Sequence, residues 1–277
     1  MDDTLYKHGF NFKKKFGQNF LSDANLLRAI VADAGVTEED AVLEIGTGAG
    51  ALTRALAQKA KRVVSYEIDR DLKPVLQETL AGLDNVEVVF RDFAKENLAS
   101  LEEELGEYVV VANLPYYITT PLVMRFAEEA KKCKGLTVMV QEEVALRFAA
   151  PKNTPDYGAV TAALARRGTA EILRKVPRTL FTPRPNVDSA IVKVDFTKGG
   201  FAVKSAKAYR EAVRCAFLSR RKTLENNLIN TFRLTREQAQ DVLSAAHVRG
   251  GVRGEALAPQ ELGALSDILF ERGIVKE

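Results

Sequence analysis

Segments typical of strands and of helices alternate along the chain from residue 41 to residue 141, and this alternation constrains the fold more than any other feature. It begins with the apolar runs "AVLEIG" and "RVVSYEID", which the amphipathic segment "ALTRALAQKA" separates. The order continues through "VEVVFRD", "YVVVANLPYY" and "GLTVMVQ". Strands separated by helices favour a parallel sheet with right-handed crossovers. The sequence therefore predicts an α/β domain.

The rest of the chain divides into a last part of this domain and a helical region. "YGAVTAALARRGTAEILRKV" and "SAIVKVDF" are interpreted as further strands, the second as a candidate antiparallel strand at the sheet edge. "TKGG", residues 197–200, is the best linker candidate. After it the periodicity indicates only helices, at roughly 205–219, 221–232, 235–246 and 259–271. We predict an α/β domain over residues 1–199 and a smaller all-helical domain over residues 200–277.

Composition excludes several classes of protein. A hydrophobic share of 46% and a charged share of 28% are typical of a globular protein. No apolar run approaches the roughly 20 residues of a membrane helix, and the N-terminus lacks the apolar segment of a secretory signal, so we expect a cytoplasmic protein. With only two cysteines and two histidines, far apart in sequence, we expect neither a metal site nor a histidine-based triad.

A glycine-rich turn follows the first predicted strand. Gly46, Gly48 and Gly50 lie between that strand and a helix, where missing side chains let the backbone approach a ligand. Gly46, Gly48 and Ala51 also satisfy the dinucleotide pattern. The glycines alone therefore do not separate NAD from an adenosyl ligand, and a turn without a ligand is the third alternative.

Acidic residues near the strand ends favour one of these ligands. Glu67 closes the next strand, where a carboxylate accepts hydrogen bonds from ribose hydroxyls, and Asp92 closes the strand after that, where an adenine amine would lie. Glu44, just before the glycines, is expected to add a third carboxylate. Three acids in one row repel a pyrophosphate and suit a cationic sulfonium. This favours S-adenosyl-L-methionine over a dinucleotide.

The stretch "NLPYYIT", residues 113–119, follows a predicted strand. Ligands of doubly wound α/β domains bind beyond the carboxyl ends of the strands, which makes this stretch a candidate site. The alternative is an ordinary turn, since Asn and Pro are favoured in turns.

Positive charge is concentrated near the C-terminus. Residues 200–277 carry 13 Lys and Arg against 9 Asp and Glu, within a net charge of only +3 for the whole chain. Arg210, Arg214 and Arg221 have the spacing of one helix face. Such a face is either simply solvated or contacts phosphates.

The chain resembles the ribosomal RNA adenine N6,N6-dimethyltransferase family almost from end to end. The matching stretches, in order, are "GQNFL", "LEIGTGAGALT", "NLPY", "FTPRPNVDSA" and "RRKTLENNL". The resemblance implies a Rossmann-like class I methyltransferase domain that binds S-adenosyl-L-methionine and a helical domain that binds RNA. The implied cofactor contacts, with Gly48 added from the glycine turn, are Asn19, Leu21, Gly46, Gly48, Glu67, Asp92 and Asn113. The implied contacts to the target base are Asn113, Leu114, Tyr116 and Phe181. The RNA-contacting set is Arg210, Arg214, Arg220, Arg221 and Lys222.

This resemblance gives the "NLPY" stretch a chemical role. The Asn113 side-chain oxygen and the Leu114 carbonyl accept the two N6 hydrogens of adenine, while Tyr116 and Phe181 hold the two faces of the base. A base held on both faces has left its stack, so a loop or flipped nucleotide is required. "KKK" at 13–15 would hold flanking phosphates.

The implied activity is N6,N6-dimethylation of two adjacent adenosines in a hairpin loop near the 3′ end of small-subunit (16S) rRNA. The substrate would be an immature small ribosomal subunit, in ribosome biogenesis, and the enzyme a monomer. The first alternative is an Erm-type large-subunit rRNA methyltransferase, which "FTPRPNVDSA" and "RRKTLENNL" disfavour. The second is a ribosome-assembly binding factor without turnover, which the intact Glu67, Asp92 and "NLPY" disfavour.

Overall fold

The computed structural model describes residues 2–13, 16–21 and 23–277. It divides the chain into two compact units. The first contains the chain up to Ala145 together with Glu171–Thr197, and the second contains Leu146–Ala170 and Lys198–Glu277. The first unit is therefore interrupted by a segment that packs with the C-terminal helices.

A mixed sheet organises the first unit. In the described part of the chain, its seven strands have the order β4-β3-β2-β5-β6-β9-β7. Their bounds are Ala41–Ile45 (β2), Arg62–Tyr66 (β3), Val86–Val89 (β4), Tyr108–Asn113 (β5), Cys133–Gln141 (β6), Thr169–Val176 (β7) and Ser189–Asp195 (β9). A separate antiparallel pair joins Phe20–Leu21 (β1) to Phe181–Thr182 (β8). β2 to β6 run parallel, and β9 is antiparallel to β6.

The strand order reverses beside β2. Val42 of β2 pairs with Val63 of β3 on one side and with Val109 of β5 on the other, both in parallel register. β2 is thus an interior strand, and its apolar residues Val42 and Leu43 are fully buried. Such interior parallel strands are apolar throughout because both faces are covered. A reversal of this kind opens a crevice beyond the carboxyl ends of the two flanking strands.

Helices connect these strands. Those with residues in the first unit are Asp2–Lys7 (α1), Ala24–Ala34 (α2), Ala51–Ala57 (α3), Lys73–Thr79 (α4), Leu98–Leu105 (α5), Thr119–Glu129 (α6) and Glu142–Phe148 (α7). α2 begins where the Asp23 side chain accepts the Leu26 N–H at 2.7 Å, and it ends at Gly35, whose φ of 72° terminates the helix.

The second unit is built from helices around its own core. They are Ala159–Arg167 (α8), Ala206–Phe217 (α9), Leu224–Phe232 (α10), Arg236–Ala245 (α11) and Pro259–Glu271 (α12). Tyr209 of α9 is buried, and its hydroxyl donates to the Ala162 carbonyl of α8 at 2.8 Å. α8 therefore packs with the C-terminal helices through both apolar surface and a satisfied polar group.

The α/β architecture with a helical C-terminal part is confirmed, and the predicted C-terminal helices differ from the observed ones only at their ends. Two local predictions are wrong. Residues 159–167 form a helix rather than a strand, because an alanine-rich run favours a helix and its apolar side is covered by α9. β9 is antiparallel as expected, but β7 and not β9 is the edge strand. The predicted boundary at residue 199 also differs from the observed division, which moves 146–170 to the helical unit.

Gly254→Ala is expected to destabilise the second unit by about 1–3 kcal/mol, the usual cost of overpacking. A Cβ atom at Gly254 would lie 2.2 Å from the Ala216 carbonyl oxygen of α9, so the backbone must shift. Urea unfolding of the whole protein measures the loss. Gly250→Ala is the matched control, since a Cβ there meets nothing within 4 Å. Equal stability of both variants and the parent would contradict this packing.

Candidate active site

A cavity of about 440 Å³ lies in the first unit at the carboxyl ends of β2 and β5. Its wall contains residues from the N-terminal segment, the glycine turn, the ends of β3 to β5 and the "NLPYYIT" stretch. Most of the predicted site residues are brought together there: Asn19, Leu21, Gly46, Gly48, Glu67, Asp92, Asn113, Leu114 and Tyr116. The crevice expected from the strand order is therefore the place where the sequence motifs converge.

The glycine turn needs glycine for its backbone conformation and for space. Gly46 and Gly48 have φ values of 87° and 56°, in the left-handed region that favours glycine. A Cβ at Gly48 would lie 3.0 Å from the Phe20 ring. The Gly48 N–H is not free for a ligand, because it donates to Glu67 Oε2 at 2.8 Å. The turn thus fixes the neighbouring carboxylate and leaves open backbone surface at Gly46.

Glu67 follows β3 and is held by two backbone amides. Its Oε2 accepts the Gly48 N–H and its Oε1 accepts the Asp69 N–H, both at 2.8 Å. Burial raises the pKa of Glu67, while hydrogen bonds from the backbone of Asp69, Gly48 and Ile68 oppose that increase. The carboxylate is thereby fixed in position at the cavity wall.

Asp92 lies at the start of a short turn that Arg125 stabilises. The Asp92 side chain accepts the Ala94 N–H at 3.0 Å. The Arg125 guanidinium, from α6, donates to the carbonyl oxygens of Phe93 at 3.2 Å and Glu96, and it also lines the cavity. Sequence reasoning missed Arg125, because these contacts join distant segments and leave no local pattern.

Asn113 and Tyr116 are oriented by partners from other elements. Asn113 Nδ2 donates to the Asn19 carbonyl at 3.1 Å, which fixes the orientation of the amide, and no hydrogen bond to its Oδ1 is recorded among the described residues. The Tyr116 hydroxyl bonds Ser189 Oγ of β9 at 2.8 Å, and burial raises the pKa of Tyr116. Tyr117 also lines the cavity and is 59% exposed, which makes it a further aromatic residue at the site.

Two residues have surroundings that the sequence does not indicate. Phe181 is only 4% exposed and packs in a core cluster with Leu21, because β8 pairs with β1. It is not among the described residues of the cavity wall, and its contact with the target base stays a prediction. Glu44 is fully buried within β2 and does not line the cavity either. Its Oε2 accepts hydrogen bonds from the hydroxyls of Thr53 and Ser65, both at 2.6 Å. Burial raises the pKa of Glu44 to about 8. Among the described residues, two acids rather than three therefore line the cavity.

The predicted RNA-contacting residues lie in the second unit and are exposed. Arg210 and Arg214 are on α9, which ends at Phe217, so Arg221 belongs to the following turn and not to the same helix face. Lys222 lies in that turn as well. Arg220 is held there by a hydrogen bond to the Pro155 carbonyl at 2.7 Å.

The contacts of the N-terminal lysine run, residues 13–15, differ from the expected phosphate contacts where the structure describes them. Lys14 and Lys15 lie outside the described residues. Lys13 binds Asp69 Oδ1 at 2.6 Å and Asp71 Oδ2 at 2.5 Å. Its charge is therefore already paired with two carboxylates of its own unit, which argues against a phosphate contact by Lys13.

Comparison with known proteins identifies the family. The family model for ribosomal RNA adenine dimethylase matches residues 9–260. The chain belongs to this family. The protein is 44% identical to the ribosomal RNA small subunit methyltransferase A of Bacillus licheniformis, over 97% of this chain and 95% of that protein. It is also 44% identical to the protein of the same name from Geobacillus thermodenitrificans, over 97% and 94%.

Solved structures agree with this assignment. The 23S rRNA methyltransferase ErmE is 31% identical with a TM-score of 0.69, covering 91% of this chain and 99% of its own. A dimethyladenosine transferase from Plasmodium falciparum has a TM-score of 0.79 at 24% identity, over 92% and 98%, and shows the shared fold. The predictions of this family, of a Rossmann-like methyltransferase fold and of an enzyme that uses S-adenosyl-L-methionine are confirmed.

The described residues lack two further features. No helix there is long and apolar enough to cross a membrane. The same residues contain no group of three or more His, Cys, Asp and Glu side chains that could hold a metal ion.

Glu44→Gln is expected to flatten the pH dependence of stability. The folded protein keeps the Glu44 proton up to about pH 8, whereas an unfolded chain releases it at about pH 4.3. Between these values the free energy of unfolding falls as the pH rises, by up to about 1.4 kcal/mol per pH unit from this group. Urea unfolding across this range measures the slope. The exposed Glu103→Gln is the control, and a slope that Glu44→Gln leaves unchanged would contradict the assignment.

Proposed function

We propose that the protein transfers methyl groups to the N6 atoms of two adjacent adenosines in a hairpin loop near the 3′ end of 16S rRNA. Each adenosine receives two methyl groups. The observation that carries the proposal is the convergence of Glu67, Asp92 and Asn113 on one cavity, in a chain of the adenine dimethylase family. The small-subunit target is supported by relatives that are 44% identical over nearly the whole chain and are named for that subunit.

The residues of the cavity fit S-adenosyl-L-methionine, which supplies a methyl group on a cationic sulfonium. Glu67 has a fixed carboxylate for the ribose hydroxyls, and Asp92 has an acceptor for the adenine amine. Gly46 lines the cavity without a side chain, so its backbone can contact the ligand. The described wall also contains Arg91 and Arg125, so the choice of ligand rests on the family and not on the charge of the cavity.

Asn113 and Leu114 activate and orient the target amine. The lone pair of an adenine N6 is delocalised into the ring, so this amine is a poor nucleophile while its hydrogens stay in the ring plane. The Asn113 amide is oriented by its hydrogen bond to the Asn19 carbonyl. Its Oδ1 and the Leu114 carbonyl accept the two N6 hydrogens and draw them from that plane. Most of the rate gain then comes from alignment of the amine with the methyl group.

Tyr116 provides the aromatic face for the target base. Its hydroxyl is bonded to Ser189, so the ring is fixed rather than free to rotate away. Aromatic stacking on a nucleobase contributes about 1–3 kcal/mol per base and requires that the base leave its own stack. This favours an unpaired loop nucleotide as substrate.

We infer that the active species is a monomer. We further propose that the monomer acts in the cytoplasm on the immature small subunit, as a step of ribosome biogenesis. The second unit contributes the RNA affinity through Arg210, Arg214, Arg220, Arg221 and Lys222.

Asn113→Ala is expected to slow both methylation steps about hundredfold, as loss of one aligned hydrogen-bonding group does in other active sites. The assay is transfer of labelled methyl to small subunits that lack the modification, followed by nucleoside mass analysis. The parent protein should yield N6,N6-dimethyladenosine. The exposed Asn25→Ala in α2 is the control. Normal rates for Asn113→Ala would contradict the role of the amide. Monomethyladenosine as the only product, or transfer to large subunits alone, would contradict the proposed function.

Replacing Arg210, Arg214 and Arg221 together by glutamine is expected to weaken RNA binding and flatten its salt dependence. Each phosphate contact contributes about 0.7–0.9 to the slope of log K against log salt, so three contacts lower it by roughly 2–3. Binding to the rRNA fragment is measured by titration at several salt concentrations. The matched control has the same charge change elsewhere in the second unit: Arg233, Arg236 and Arg272. Equal slopes for both variants would contradict phosphate contacts by Arg210, Arg214 and Arg221.

A further inference from the structure

Asp69 connects the N-terminal segment to the carboxylate at the cofactor site, although it does not line the cavity itself. It follows β3 by three residues, and its side chain is only 2% exposed. The described part of the N-terminal segment that lines the cavity is residues 16–21. The contacts of Asp69 therefore bear on how this segment is held against the site.

Each oxygen of Asp69 accepts a hydrogen bond from the N-terminal segment. Lys13 Nζ donates to Oδ1 at 2.6 Å, and Gln18 Nε2 donates to Oδ2 at 2.8 Å. Gln18 is oriented in turn, because its Oε1 accepts the Lys13 N–H at 2.7 Å. The three residues form a closed set in which every donor faces an acceptor. Such sets involving a charge hold their geometry more strongly than neutral pairs.

The same residue also fixes Glu67. The Asp69 N–H donates to Glu67 Oε1, so one residue bonds the cofactor carboxylate with its backbone and the N-terminal segment with its side chain. Burial alone would raise the pKa of Asp69, but the hydrogen bonds from Lys13 and Gln18 outweigh it and lower the pKa. Asp69 is therefore held as a carboxylate.

We propose that Asp69 is a positioning residue that sets the N-terminal segment and Glu67 in one arrangement for cofactor binding. The inference rests on the proposed function, because it takes Glu67 and Asn19 as cofactor contacts. It predicts that the hydrogen-bond pattern at Asp69, and not only its packing, determines cofactor affinity.

Exchanging the donor and the acceptor of the hydrogen bond between Gln18 and Asp69 tests this inference. Asp69→Asn places an amide nitrogen against Gln18 Nε2, and turning the Gln18 amide would break its bond to the Lys13 N–H. Gln18→Glu alone places the introduced carboxylate against the carboxylate of Asp69. The double variant restores complementarity, because the amide nitrogen introduced at position 69 then donates to the carboxylate introduced at position 18. All variants have nearly the same side-chain volumes.

Calorimetry with S-adenosylhomocysteine and hydrogen exchange without ligand are the readouts. Each single variant is expected to raise the Kd about tenfold or more, as loss of a hydrogen bond to a charged group does, and the double variant to recover most of that loss. In methylation, KM for S-adenosylmethionine should rise with little change in kcat. The Lys13 amide should exchange faster in both single variants. The controls are Asp71→Asn, which removes an exposed contact of Lys13, and Glu78→Gln, which removes the contacts of Lys7 and His8.

Three outcomes would overturn the inference while the parent protein binds S-adenosylhomocysteine. These are unchanged affinity in Asp69→Asn, no recovery in a folded double variant, and equal losses in the two controls. Faster exchange of the Lys13 amide without weaker binding of S-adenosylhomocysteine would show that Asp69 holds the N-terminal segment but does not position the cofactor contacts. Failure of the parent protein to bind S-adenosylhomocysteine would instead defeat the proposed function and, with it, the role of Asp69.

Discussion

The parallel pairing of β2 with β3 on one side and β5 on the other is the constraint on which the site depends. It brings the ends of three strands to one edge, so that Gly46, Glu67 and Asn113 meet although they are far apart in sequence. The glycine turn then bonds Glu67 through the Gly48 N–H. Because the strands are buried on both faces, this arrangement is rigid, and loops that carry the chemistry are held by it.

Local patterns were sufficient for the parallel strands β2 to β6, the C-terminal helices and most of the described cavity wall. The carboxyl ends of parallel strands converge at one edge of the sheet, which explains why Asp92 and Tyr116 line the cavity as the sequence predicts. Patterns failed where side-chain direction decided the outcome. Glu44 precedes the glycines, yet its carboxyl lies among Thr53 and Ser65 in the core. Sequence order therefore predicts that a residue is near a site better than it predicts that the residue faces it.

Contacts between distant segments were beyond sequence reasoning for a different reason. Arg125 stabilises the turn after Asp92 from another helix, and Asp69 joins a buried strand end to the N-terminal segment. Neither has a periodicity or a motif, because each is defined by a partner and not by its neighbours. The end of α9 at Phe217 is similar: the basic run continues past it, so composition alone does not show that Arg221 leaves the helix.

The interruption of the first unit by Leu146–Ala170 has a consequence for synthesis of the chain. β9, which supplies Ser189 for Tyr116, emerges from the ribosome only after α8 has been made. The α/β unit is thus incomplete until the chain has passed residue 195, and at that stage α8 still lacks the helices that cover its apolar side. A fragment ending at Thr197 would expose this surface. Folding of one unit therefore depends on how far synthesis of the other has gone, and the two units are not separable modules.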